Sequence, residues 1–267
     1  MNAKLKAAVP LLLVLVAAAW GLFAPPLLQS QDYHRFADAR AWLSVANAAD
    51  TLSNFAFLIV GGLGLAFLWR ERKAGSSAHF STRGETTPYA VFFAGVTLTS
   101  VGSAYYHLAP DDARLVWDRL PMTVAFMSLV SAAIAERISV RAGGILLVPL
   151  LIAGVASVVY WRASALGGFE NLRPYMAVQY GSIAAVLSIS LLFRSRYTHG
   201  YAIFLLAAAY IVAKQLETYD RAVYELGFGL SGNTLKHLVA ALGLWVLLRS
   251  LQRREIRRQP APSHGAC

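Results

Sequence analysis

Cysteine is almost missing from this chain: the single residue of that type is Cys267, at the very end of the 267 residues. One thiol cannot form an internal disulfide and no CxxC occurs, so the redox compartment is not legible from cysteine usage. Charge is also scarce. Asp, Glu, Lys and Arg make up 14% of the chain, against about 25% in an ordinary soluble domain. Acidic residues are the rarer sign, 14 against 24 basic, for a net charge of +10. The basic residues are concentrated in particular loops and in the tail, which argues for membrane orientation and against nucleic-acid binding. What fills the space is apolar: 57% of the residues are hydrophobic, in repeated long runs. The class this implies is a polytopic, all-α membrane protein.

Eight spans are expected. Ala7–Phe23 follows Lys4 and Lys6 and has the outline of a signal peptide, but it runs through Trp20 and Phe23 into Pro25-Pro26 without a small-residue cleavage site. An uncleaved helix is therefore expected. The others are expected near 51–69, 89–108, 116–135, 145–161, 175–193, 201–216 and 235–248. Each approaches the ~20 residues that cross a hydrocarbon core, a few being shorter. The segment 29–50 carries Asp32, His34, Arg35, Asp38, Arg40, Asn47 and Asp50, and is expected to lie on a membrane face. The organisation expected is an N-terminal helix (1–24), a seven-helix core (25–250) and a basic, disordered tail (251–267). With eight spans both termini share a side, and 15 of the 24 Lys and Arg residues fall there. The positive-inside rule makes that side cytoplasmic.

Polar residues inside apolar runs are costly and mark function by default. The stretch Val101–Met122 holds Ser103, His107 and Asp118. Ser103 and His107 are four apart and share a helix face. The topology puts His107 at the end of one span, Asp118 at the start of the next and His237 at the start of the last, all on the outer side. Two histidines and a carboxylate in one basin suggest a metal site, zinc in the first instance, with a water in the open position. The plainer readings are open as well. A histidine at the interface can satisfy a backbone carbonyl. Ser103 can bond its own helix or permit close packing. Asp118 can be a helix N-cap. Lys214 and Glu217, three apart, read as an intrahelical ion pair.

The run Ser103-Ala104-Tyr105-Tyr106-His107, followed by Trp117-Asp118-Arg119-Leu120-Pro121-Met122, resembles the signature of the alkaline ceramidases. These belong to a superfamily of seven-helix membrane hydrolases that includes the progestin/adiponectin receptors. Ser53-Asn54, Asn171–Tyr175, the Lys214/Glu217/Asp220 run and Ser231–His237 extend the resemblance over most of the chain, with bacterial members in particular. The resemblance implies seven core helices, hydrolysis of the amide of a ceramide-like lipid, and Zn2+ held by His107, His237 and a histidine that here is Asn233. An amide oxygen is a poor zinc ligand beside imidazole, so Asn233 binds weakly or through water, another group such as His34 replaces it, or the metal is lost. Asp118 would orient or deprotonate the attacking water and protonate the leaving amine, and Ser103 would donate to the oxyanion. Eukaryotic members also bind Ca2+ before the first core helix. Here the candidate oxygens are Asp32, Asp38, Asn47 and Asp50, although their spacing departs from the family's run.

Three function classes follow: a membrane amidase acting on a lipid, a non-catalytic lipid-binding or receptor-like relative whose metal site has decayed, and a transporter. No pair of Gly/Pro-broken helices in matching halves supports the third.

Overall fold

A computed structural model describes residues 3–74 and 79–257. The described residues are 77% helical, with no strand among them. The helices are α1 (Ala3–Phe23), α2 (Ala48–Ser53), α3 (Phe55–Lys73), α4 (Thr86–Leu108), α5 (Asp112–Arg137), α6 (Val140–Leu166), α7 (Arg173–Leu192), α8 (Ala202–Thr218), α9 (Asp220–Glu225) and α10 (Gly232–Arg253). Among the described residues six segments are long and apolar enough to cross a membrane: α1, α2 with α3 (Ala48–Lys73), α5, α6, α7 and α10. α4 and α8 run among them. α8, with 17 residues, is shorter than the ~20 that span hydrocarbon unaided. The protein is a multi-pass membrane helical bundle.

Most expected boundaries fall two to five residues short of the helix ends. Capping side chains explain part of this. Asp111 accepts from the Arg114 amide (2.7 Å) and Ser231 from the Thr234 amide (2.9 Å). Each starts a helix in polar sequence ahead of the apolar run. The tail is a correction. Leu251–Arg253 belong to α10, Arg254 is buried, and Ile256 bridges to Tyr197. Only 258–267 of that segment lie outside the described residues.

Neighbours pack in the order α3, α4, α5, α7, α8, α10 and back to α3, with α6 outside against α5 and α7, and α1 outside against α7. α1 is mostly exposed along its length, as suits a helix whose solvent is lipid. The α4–α5 contact is the most extensive, and two residues permit it. Pro121 has no amide hydrogen, so the Trp117 carbonyl one turn earlier is released from the helix ladder. Gly102 of α4 lies against that carbonyl: a Cβ there would sit 2.0 Å from the oxygen. Gly232 does the same for α10 against α8, with a Cβ 2.0 Å from the Leu216 carbonyl oxygen. Both glycines lie at the end of the bundle that carries His107.

Candidate functional site: a histidine pair over a polar chamber

The site is built by four helix ends and one loop. Gly102 brings α4 close to α5, and Ser103 and Asp118 from these two helices line one chamber. Asp118 is buried and lies well inside α5, whose cap is Asp111. The capping alternative for Asp118 is thereby overturned. Thr97, Thr99 and Ser100 each bond a carbonyl of their own helix.

His107 and His237 meet. Their ring centroids are 4.9 Å apart and the planes are nearly perpendicular, at 88°. Both side chains are buried. Phe36 packs on His107 at 4.5 Å and Phe57 on His237 at 5.8 Å. The Asn47 amide donates to the His107 carbonyl (2.7 Å). The Ser53 hydroxyl lies 2.8 Å from His237 Nδ1 and donates to the Asp50 carbonyl at 2.9 Å. Serine has one hydroxyl hydrogen. Since that hydrogen goes to Asp50, Ser53 accepts from His237 Nδ1–H, and Nε2 is left with its lone pair. His237 Nε2 and His107 Nδ1 are both buried without a hydrogen-bond partner.

That arrangement fits the first half of a metal centre. A ligating histidine usually has its other ring nitrogen fixed by a hydrogen bond, which is what Ser53 does for His237. The donor set is short by one. Among the described residues no group of three or more His, Cys, Asp or Glu side chains is placed to share an ion. His34 does not complete it: its Nδ1 is 2.9 Å from the Tyr106 hydroxyl and its Nε2 is 3.0 Å from Asp112 Oδ1. Asn233 is buried one turn before His237, and its backbone amide donates to Asp220 Oδ1 at 2.7 Å.

The four candidate calcium residues are separately engaged. Asp32 is exposed and pairs with Arg35. Asp38 is buried and takes a two-pronged bond from Arg40, 2.8 Å on each oxygen. Those bonds hold its carboxyl below the usual range. Asn47 serves the His107 carbonyl. Asp50 Oδ1 accepts from the Ser231 and Thr234 hydroxyls, each at 2.5 Å.

Ser103, Asp118 and His237 line a chamber of about 280 Å³, and His107 touches it only through its contact with His237. Its polar wall includes Arg119, Lys214, Glu217, Lys236 and Tyr33. The Lys214–Glu217 pair expected from spacing is present. Lys236 also bonds Glu217 (2.5 Å), and the Tyr33 hydroxyl donates to it (2.9 Å). Burial pushes the Tyr33 phenol well above its ordinary pKa and the Glu217 carboxylate adds to this, so it remains a donor. Toward the middle of the bundle a second cavity of about 140 Å³ is lined by Phe92, Val96, Phe126, Leu129, Val186 and Leu206 among others. Phe57, Thr99, Met122, Tyr210 and Ala240 border both chambers. One polar room therefore abuts one apolar room.

Sequence reasoning missed Ser53 as the partner of His237 and Arg119 and Lys236 as chamber walls. The signal for the cations was available: an ionisable residue within an apolar run. No family model matches the chain, and no curated protein matches it.

Proposed function

We propose that the protein is an integral-membrane amidase that hydrolyses the amide bond of a ceramide-like lipid. The supporting observation is the histidine pair, with unpartnered buried nitrogens, beside Ser103 and Asp118 in a polar chamber that abuts an apolar one. The acyl chain lies in the apolar room and the amide carbonyl in the polar one. His107 Nδ1 and His237 Nε2 would hold a zinc ion, whose chemistry there is to polarise water and carbonyl oxygen. Asp118 takes a proton from the attacking water as its oxygen bonds the carbonyl carbon. Ser103 donates to the oxyanion that forms. Asp118 returns the proton to the nitrogen as the C–N bond breaks, leaving a fatty acid and an amine.

The basic residues gathered at the termini end support cytoplasmic termini and a site on the outer face. The motifs shared with bacterial members support a bacterial inner membrane. A second reading has its own observation. With Asn233 at the position of the family's third histidine and no third donor assembled, the protein is a lipid-binding relative whose centre has decayed. Metal analysis and amide hydrolysis on purified protein decide between them. The amidase carries about one zinc per chain, lost in His107→Ala, and releases fatty acid from a short-chain ceramide. Zinc-free protein, purified without chelator and inactive until Asn233→His is introduced, establishes the decayed site.

A further inference from the structure

The chamber holds a cation that the proposed reaction leaves unused. Arg119 is 95% buried by the exposure of 5% that remains to it. Its guanidinium is sandwiched between Trp161, 4.3 Å from the ring centroid, and Tyr175, 4.6 Å away. Nη2 donates to Gln29 Oε1 at 2.5 Å. Nη1 is buried with no partner, and the residue lines the chamber with Asp118 and His237. Among the described residues no carboxylate lies within ion-pair distance of it. Glu170, which bonds two of the same neighbours, is taken by the Trp161 indole (2.9 Å) and the Gln29 backbone amide (3.2 Å). The other two cations of the wall, Lys214 and Lys236, both pair with Glu217. Asp118 lies on the same wall but makes no ion pair with Arg119. Among the described residues Arg119 is thus the wall's one cation outside any ion pair, packed against two aromatic rings with Nη1 free.

A buried charge without a counter-ion is unfavourable by several kcal/mol, so a fold that keeps one beside a cavity favours an occupant that brings the opposite charge. The flat guanidinium edge matches a carboxylate in particular. We propose that Arg119 recognises the carboxylate of an acyl amphiphile, so that the chamber takes an N-acylated amino acid in preference to a neutral N-acyl lipid. The carboxylate comes either from the headgroup or from a released fatty acid. The inference rests on the amidase reading for the acyl amide, and its test separates binding from turnover.

The test is equilibrium binding to the detergent-solubilised full chain of three radiolabelled probes: N-palmitoylglycine, the neutral N-palmitoylethanolamine, and palmitate. A desolvated charge-assisted bond gives the acidic amide at least a roughly tenfold tighter Kd than the neutral one. Arg119→Gln removes that difference and Arg119→Lys keeps part of it. An Arg119-dependent gain confined to N-palmitoylglycine assigns the headgroup as the source; the same gain for palmitate assigns the released acid. Equal Kd values for the two amides in the wild type, or a preference that survives Arg119→Gln, overturns the proposal. Should Arg119→Gln not fold, the wild-type comparison and Arg119→Lys decide it. Fatty-acid release is followed in the same samples. Turnover without acidic preference sinks this inference alone, and preference without turnover sinks the amidase reading alone.

Discussion

The two ends of the bundle both bury charge, and they treat it differently. At the end where α10 finishes, Glu136 accepts from the Tyr89 hydroxyl, the Ser195 hydroxyl and Arg254 Nη1, each at 2.8 Å. Arg254 Nε donates to the His79 carbonyl (2.7 Å), and the guanidinium lies 3.8 Å from the Tyr197 ring. Glu85 takes bonds from Tyr197 and from Ser81. Each ionised group there has an opposite charge or several donors, as stability requires, even though Arg254 Nη2 and Ser190 Oγ are buried without a partner. At the other end His107 Nδ1, His237 Nε2, Asp50 Oδ2 and Arg119 Nη1 are buried and unpartnered, and Arg119 and His237 line a chamber of about 280 Å³. The difference lies in ion pairing and in room: Arg254 has its carboxylate and little space beside it, whereas Arg119 has no ion pair and faces a cavity.

The sharpest way to break that contrast is to open the closed end. Glu136→Leu leaves Arg254 buried without its carboxylate and should cost about 3–5 kcal/mol, read as a large drop in Tm in detergent. Adding Arg254→Leu should recover part of it, and a double-mutant cycle measures the coupling. A fall of under about 1 kcal/mol, the value of an exposed pair, would show the network to be ornamental. Next in size is Gly102→Ala. Its Cβ meets the Trp117 carbonyl oxygen at 2.0 Å, so α4 must move from α5, at about 1–3 kcal/mol. The same substitution should abolish amide hydrolysis, since Ser103 and Asp118 separate.

At the open end the expected sign is different. In metal-free protein, His237→Leu and His107→Phe should leave the unfolding free energy within about 1 kcal/mol of the wild type, or raise it, because each removes an unsatisfied buried atom. On the amidase reading both should also fail to bind added zinc. A drop as large as that of Glu136→Leu would mean that the histidines are structural. The smallest effect concerns Asp38. Its carboxyl is held low by Arg40, so the stabilisation is present above an unfolded-state value of about 3.9 and is lost as pH falls through the lower folded one. Hydrogen exchange of residues 36–48 should quicken only in that acid window. Faster exchange already at pH 6 would place the stability of the loop elsewhere.

Much of this architecture was legible beforehand, because long apolar runs admit few structures in a membrane. The eight long helices and the convergence of His107 and His237 follow from span counting and helix periodicity. The parts that were not legible depend on approach distances. Nothing in spacing says that Pro121 frees the Trp117 carbonyl, that Gly102 closes on it, and that Asp118 lines one chamber with Ser103 from inside the helix. The resemblance makes the loop at 29–50 a candidate calcium site. Its groups are instead spent one by one on Arg35, Arg40, His107, Ser231 and Thr234. Arg119 lies beside Asp118 in the sequence, yet only the positions of Trp161 and Tyr175 reveal that it is clamped.

The bond between Glu136 and Arg254 spans 118 positions. Glu136 is therefore made long before the guanidinium that will neutralise it, and four further long helices, α6, α7, α8 and α10, lie in between. A chain released early, short of Arg254, keeps a bare carboxylate in its interior. The turn that ends α10 thus reports whether the bundle before it has been assembled.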